Sequence, residues 1–484
     1  MTVRSLFSRF VYKKNGKIRP WYQNSIRCIA KETPSFAIES QLRYDEELTL
    51  EALKPLETAV LSWRGKPDPE TLIDVAELSD MIRQGIYSKS HKLVVSVSHD
   101  NYRKVPGGLQ LCVEHEEIQA AKEGFGYLQI HPWHALPRLN HLAETPDTLV
   151  GLVLDGADVG VCLMSNLIAT LQKLSMADLN QSEVSMVVTI HHMRGHNPEQ
   201  LLELVHASRN VECIFWLHDF FSICPSYTLQ RNTLTFCGAP ASTSNACELC
   251  VFGVERQSHS HRMATFFRSV AVNVVSPSSV TADFWQARSG LKAASLKIVP
   301  HMALEFMPCS EQRSKAPDRP VTIAYLGAPV VHKGWSIFAE LVSEFSGSRD
   351  YQFVAMTNEP TDLKSVKWVN VSVTGESPTA MSDAVEQSDV DLVIHWPSWP
   401  ETFSFTTFEA LAGSAYVVTN TGSGNVAAAV LQTGRGVVLS DRARLLEYFR
   451  NGAAKVLADQ RRQASQMFKV RQTRSRMSFE VLKQ

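Results

Sequence analysis

Two glutamates eight positions apart carry the sharpest chemical signal in this 484-residue chain: Glu401 lies in a Pro- and Trp-bearing loop, and Glu409 lies inside the helical run FTTFEALAG that follows. An ionised carboxylate accepts two hydrogen bonds from a vicinal diol, so this pair suits a ligand rich in hydroxyls. The competing reading is a helix-dipole glutamate beside a solvated loop glutamate, which spacing alone does not separate. Lys333, just before Gly334 in LGAPVVHKGW, places a cation at a predicted helix start, where it can meet a diphosphate as a point charge. Taken alone it reads better as a surface lysine.

Other candidates sit at the ends of apolar runs. Gly107 and Gly108 follow LVVSVS and precede a helical segment, and such a pair lets backbone amides approach a phosphate. His191 and His192 follow MVVTI, and His218 and Asp219 follow ECIFWL. A histidine at one strand tip is more often structural; two tips furnished alike point to a shared crevice. Thr421, Gly422, Ser423, Gly424 and Asn425 offer another amide-lined turn. Cys224, Cys237, Cys247 and Cys250 fall within 27 residues and end in CxxC, which suits either a structural zinc site or free thiols in a packed loop.

These residues need a scaffold, and the runs between them supply one. LVVSVS, YLQIH, VGLVL, MVVTI, ECIFWL, VAVNVVS and LKIVP are short and apolar throughout, as strands buried on both faces of a parallel sheet should be. VTIAYLG, YQFVAM, WVNVSV, VDLVIHW, AYVVTN and GVVLS form a second series. The pattern predicts an α/β chain of two Rossmann-like domains facing each other across a cleft, at 91–308 and 320–460, joined by a polar linker at 309–319. A segment at 461–484 is expected to return to the first domain, and residues 1–90 read as a basic N-terminus with a helical appendage. In open parallel sheets ligands bind beyond the carboxyl ends of the strands, where the candidates above lie.

Composition narrows the partners. Lys plus Arg number 48 against 49 Asp plus Glu, which excludes a general nucleic-acid footprint. Nine cysteines, no apolar run of membrane length and no signal-like start predict a cytoplasmic protein. The first 31 residues nevertheless carry eight basic residues and no acid, with Val3, Leu6, Phe7, Phe10 and Val11 on one helical stripe. Such a helix docks peripherally on an anionic membrane surface, or packs on its own protein.

The segment PETFSFTTFEALA resembles the retaining family 4 glycosyltransferases of the GT-B fold, whose hallmark is two glutamates separated by seven residues. The resemblance runs from about Lys92 onward, with the glycine pair, the histidine tip, LGAPVVHKGW and TNTGSGN in the family's order. It implies transfer of a sugar from a nucleotide-sugar donor to a glycan or lipid-linked glycan, with retention at the anomeric carbon and no required metal or cofactor. Glu409 would then bind the nucleotide ribose, Glu401 would lie near the donor sugar, and Lys333 would neutralise the diphosphate. Gly107 and Gly108 would line the donor crevice, His218 would sit by the reacting sugar, and Gly327, Thr402, Phe403 and Ser404 would complete the donor site. The only DxD candidate, Asp389 to Asp391, begins a buried run, which disfavours a metal-dependent alternative.

One departure stands out: Ala328 occupies the place of the family's arginine in LGRxxxxKG. Arg103, Lys104 and Arg194 are the candidates to replace that cation. The departure also motivates a catalytically weakened sugar-nucleotide-binding scaffold as an alternative, and a nucleotide-sugar epimerase of similar shape is another.

Overall fold

A computed structural model describes residues 69–87, 91–134, 136–141, 143, 145–175, 185–208, 211–308 and 319–482. The basic stripe at 1–31 and residues 309–318 of the expected 309–319 linker lie outside the described residues.

The first lobe is built on β1 (Lys92–Val97), β2 (Gly126–Pro132), β3 (Leu149–Leu154), β4 (Ala157–Leu163), β5 (Ser185–Ile190) and β6 (Glu212–Trp216). A short ribbon follows, β7 (Gln230–Arg231) with β8 (Thr235–Phe236), and then β9 (Val272–Ser276) and β10 (Ser295–Ile298). The sheet order is β10-β9-β6-β5-β1-β2-β3-β4, parallel from β10 to β2. In β1, Leu93, Val95 and Val97 enter one core and Val94 enters another, so both faces are covered. That is the arrangement the unbroken apolar runs predict. The helix Val75–Tyr87 belongs to this lobe's core, since Leu78 and Ile82 are buried with the β1 residues.

VGLVL departs from the parallel expectation. It forms β3, antiparallel to β2, and pairs with β4, which the apolar runs did not predict. The cause is the turn between them: Asp155 at φ 46° and Gly156 at φ 82° both adopt positive φ, as a two-residue primed hairpin turn requires.

β11 (Met302–Pro308) leads out of this lobe, and the second lobe contains β12 (Val321–Leu326), β13 (Tyr351–Met356), β14 (Val366–Val369), β15 (Leu392–Ile394), β16 (Tyr416–Asn420) and β17 (Gly436–Leu439). All six are parallel, in the order β14-β13-β12-β15-β16-β17. Sheet growth therefore reverses between β12 and β15, the switch point where doubly wound sheets bind ligands. The two Rossmann-like lobes expected from the sequence are both present.

The chain then recrosses. β18 (Phe468–Arg474) pairs antiparallel with β11, and a 3₁₀ turn at Met477–Glu480 settles on the first lobe, where Trp216 Nε1 donates to Ser478 Oγ at 2.9 Å. The DxD aspartates are held by arginines. Asp391, fully buried, meets Arg319 at 2.7 Å and Arg462 at 2.8 Å, and accepts from the Thr322 backbone at 2.9 Å.

Candidate active site

In the second lobe three strand-end turns are tied together at the switch point. After β12, Gly334 has φ 90°, and a Cβ there would fall 2.3 Å from the Trp396 carbonyl oxygen, so only glycine lets this turn close on the β15 loop. The Ser398 amide donates to His332 O at 3.0 Å across the same contact. After β16, the Asn425 amide donates to Glu401 O at 2.9 Å, and the Glu401 amide donates to Ser423 O at 3.2 Å. Gly327, at φ 86°, abuts the Thr406 methyl.

These turns enclose two carboxyls. Glu401 and Glu409 are both buried, at 7% and 3% exposure. Among the described residues Oε1 of Glu401 has no hydrogen-bond partner and the Glu409 carboxyl makes no side-chain hydrogen bond. Burial raises both above the usual carboxylate range, Glu409 to about 7, and the Lys333 ammonium opposes that rise at each. His395, also buried, is held neutral by desolvation and by Lys333, down to about 3. Lys333, Glu401 and Glu409 thus share one electrostatic environment. Ser404 stands at the start of the Glu409 helix with φ 71°, accepting from the Thr407 amide at 3.4 Å.

The first lobe meets this site directly. Thr402 Oγ1 donates to the His218 carbonyl oxygen at 2.6 Å, and Ser278 Oγ donates to the Thr402 carbonyl oxygen at 2.8 Å. A Cβ on Gly108 would lie 3.3 Å from the Phe405 ring, so the missing side chain leaves room for that aromatic. Gly107 precedes the helix Gly108–Lys122 in an extended conformation. His301, from the end of the first lobe, stacks on Phe405 at 5.5 Å and meets Phe403 edge-on at 5.1 Å. The seam therefore gathers Gly108, His218, Thr402 and Phe403.

His218 Nε2 lies 2.9 Å from His191 Nδ1, and His191 Nε2 lies 2.8 Å from Glu116 Oε2. Burial pushes the His218 imidazole well below its ordinary value, with His301 and His191 adding to the effect. His192 turns elsewhere, to Asp219 at 3.0 Å.

Of the candidate replacements for the missing arginine, Arg103 pairs with Glu114 at 3.5 Å, Lys104 with Asp158 at 2.7 Å, and Arg194 lies 6.0 Å over the Tyr227 ring. The structure instead brings Arg474 to the seam. It ends β18 opposite Met302, Nη2 is buried without a hydrogen-bond partner among the described residues, and its charge counters the burial of Glu409 more strongly than Lys333 does. It also acts on Cys112 and His301. No local motif marks Arg474 in the sequence; its placement depends on the pairing of β18 with β11.

Cys112, His218 and His301 offer ligand atoms within 4.8 Å of one another, the one such group among the described residues. Cys224, Cys237, Cys247 and Cys250 are free thiols lining one cavity of about 20 Å³, and Arg256 Nη1 lies 2.7 Å from Cys247 Sγ. Among the described residues no three of these sulfurs meet within 4.8 Å.

No protein family and no curated protein sequence matches this chain. Solved structures similar to it include a sucrose-phosphate synthase from Thermosynechococcus elongatus, at 13% identity and TM-score 0.49, covering 77% of this chain and 93% of that one. HepE from Anabaena, solved with UDP-glucose, is 11% identical with TM-score 0.43 and coverage of 77% and 94%. WaaG, a glycosyltransferase of lipopolysaccharide biosynthesis, is 13% identical with TM-score 0.43 and coverage of 76% and 94%. At these values the likenesses assign no activity, and the fold assignment rests on the sheet topology of the chain itself.

Proposed function

We propose that this chain is a glycosyltransferase that takes a sugar from a nucleotide-sugar donor bound between the lobes. The observation that carries the reading is the meeting of Lys333, Glu401 and Glu409 at the β12/β15 switch point, against His218 across the seam. Glu409, buried and without a side-chain donor among the described residues, accepts from the ribose diol; Glu401 takes the same part toward the donor sugar. As the sugar departs, charge develops on the diphosphate. Lys333, Arg474 and the positive end of the dipole of the helix Asn425–Thr433 neutralise it, so the step needs no divalent cation. Retention and a glycan or lipid-linked glycan acceptor belong to the same proposal, supported by the resemblance of PETFSFTTFEALA.

A thermal-shift panel of UDP-, GDP-, ADP- and dTDP-sugars tests this reading, because a molecule that binds the native state raises the melting temperature. Glu409→Ala should abolish the shift produced by the selected donor, and Lys333→Ala should mainly slow transfer. Wild-type behaviour from both variants discards the site.

Ala328 supports a second reading, a sugar-nucleotide-binding scaffold, for which donor binding persists with no turnover on any glycan. The four thiols line one cavity, but among the described residues no three of their sulfurs lie within 4.8 Å, so as placed they do not form the tetrahedral set a structural zinc needs and read as free thiols in a packed loop. Zinc-free protein whose melting temperature is unchanged by chelation is the expected outcome; zinc near one per chain would overturn it. Peripheral membrane docking is assigned to residues 1–31, and unchanged partition into anionic liposomes after their deletion would reject it. Among the described residues no helix is long and apolar enough to cross a membrane.

A further inference from the structure

We infer that Ser478, Glu116 and His191 form a buried relay that fixes which nitrogen of His218 carries its proton, and so makes His218 a hydrogen-bond acceptor toward the cleft. The inference rests on the proposed placement of His218 beside the donor sugar, but the relay itself is readable without it.

The direction of the relay follows from a group that can only donate. Trp216 Nε1–H donates to Ser478 Oγ at 2.9 Å, so the Ser478 hydroxyl proton is left to go to Glu116 Oε1, which it contacts. Tyr127 OH lies 3.1 Å from Glu116 Oε2 and 3.3 Å from the Val113 carbonyl oxygen, the carboxyl being the nearer acceptor for its one proton. A carboxyl approached by a hydroxyl at each oxygen is most stable as the acceptor-only carboxylate. Its remaining contact, His191 Nε2 at 2.8 Å, must then be an N–H donor. A neutral imidazole that donates from Nε2 accepts at Nδ1, and His191 Nδ1 is 2.9 Å from His218 Nε2. His218 therefore donates from Nε2 and keeps a lone pair on Nδ1.

The environment leaves little room for the reverse arrangement. Glu116 and His191 have fully buried side chains, and Trp216, Tyr127 and Ser478 are each 1% exposed. The rings of His191 and Trp216 lie within 16° and 11° of parallel to His218, which restrains its rotation. Among the described residues His218 Nδ1 makes no hydrogen bond, so the lone pair is available to a ligand hydroxyl. Such a position selects a neutral sugar hydroxyl and disfavours a carboxylate, which has no proton to give. Ser478 belongs to the C-terminal turn and lies 262 residues from Trp216, so the final crossing of the chain completes the device. Glu116 and His191 are positioning residues that act through His218.

Histidine-selective ¹⁵N labelling of the full chain tests the relay without any ligand, since the two ring nitrogens differ in shift when one is protonated. The His218 signals are assigned by their loss in His218→Gln. Wild type should show His218 neutral with the proton on Nε2; a proton on Nδ1, or on both nitrogens, overturns the relay. Glu116→Gln should invert it, because the amide donates to His191 Nε2, His191 then donates from Nδ1, and His218 moves its proton to Nδ1. A folded Glu116→Gln protein with an unmoved His218 tautomer also overturns it. Should that variant fail to fold, the wild-type spectrum decides, together with His191→Asn, whose amide oxygen can still accept from His218 and should preserve the wild-type tautomer. Failure of the Glu409 and Lys333 variants to affect donor binding, with the tautomer as stated, would sink the donor site and leave the relay standing.

Discussion

Glu116 and Glu409 are both helix-borne carboxyls shut away from solvent, one in each lobe, at 0% and 3% exposure. Glu116 is met by Ser478, Tyr127 and His191. Glu409 is met by no side-chain donor among the described residues, and burial lifts it to about 7. Burying an ionised carboxyl costs several kcal/mol unless hydrogen bonds replace its water. The protein completes one of these groups itself and leaves the other for a ligand. The sharpest way to break the comparison is to truncate both. Glu116→Ala leaves the buried Ser478 hydroxyl and His191 ring without their acceptor, while Tyr127 OH keeps the Val113 carbonyl oxygen at 3.3 Å, and should lose about 3 kcal/mol in urea unfolding. Glu409→Ala should stay within about 1 kcal/mol of wild type while losing the donor-induced melting shift. Equal losses in the two variants would erase the distinction.

The cations around Glu409 come next in size. If Arg474 takes over from the arginine absent at Ala328, Arg474→Ala and Lys333→Ala should each slow transfer by about 100-fold, the range for removing one preorganised charge partner of a developing anion. Ala328→Arg in the Arg474→Ala background should recover much of that loss. Steady-state kinetics on the donor chosen by the thermal-shift panel reads both effects, and full activity in Arg474→Ala returns the missing cation to the unexplained.

A smaller effect separates the two carboxyls by pH. Ionised Glu409 accepts from both hydroxyls of a diol with charge assistance, whereas the protonated group has one oxygen taken up by its own proton, so with its folded value near 7 donor affinity should fall as pH drops below 7, by at most about tenfold per pH unit. Glu409→Gln should flatten that dependence in calorimetric titrations. Stability runs the other way: between its unfolded value near 4.5 and about 7 the native state holds the extra proton, so this group's contribution is full at low pH and is lost as pH rises through 7.

How far the sequence reaches follows the same division. The second lobe was legible because its strands are continuous apolar runs and its ligand-facing residues sit within a few positions of strand ends, as Lys333 and Glu401 do. The hairpin of β3 and β4 was announced by Asp155-Gly156, a local signal that the apolar run VGLVL outweighed. Arg474 and Ser478 were beyond reach for a different reason. Their meaning depends on β18 pairing with β11 and on a contact spanning 362 residues to Glu116, and no periodicity within a window encodes that. Nothing within the Glu116 helix marks that carboxyl, since the partners that distinguish it arrive from β2, the end of β5 and the C-terminal turn.

The smallest effect concerns the residue that starts the Glu409 helix. Ser404 holds φ 71°, a left-handed conformation that costs a non-glycine residue about 1 kcal/mol. In return its hydroxyl caps the Thr407 amide at a long 3.4 Å and lies 2.9 Å from Thr407 Oγ1. A glycine at an N-cap forfeits only a few tenths of a kcal/mol relative to serine, on the order of 0.3. Relief of backbone strain should therefore win narrowly, and Ser404→Gly should raise stability by about 0.5 kcal/mol. If the hydroxyl also contacts the donor sugar, the same variant binds the donor less tightly while folding more stably, the opposite of the Glu116→Ala signature. A variant that loses stability instead would show that the cap, not the ligand, keeps serine in this strained position.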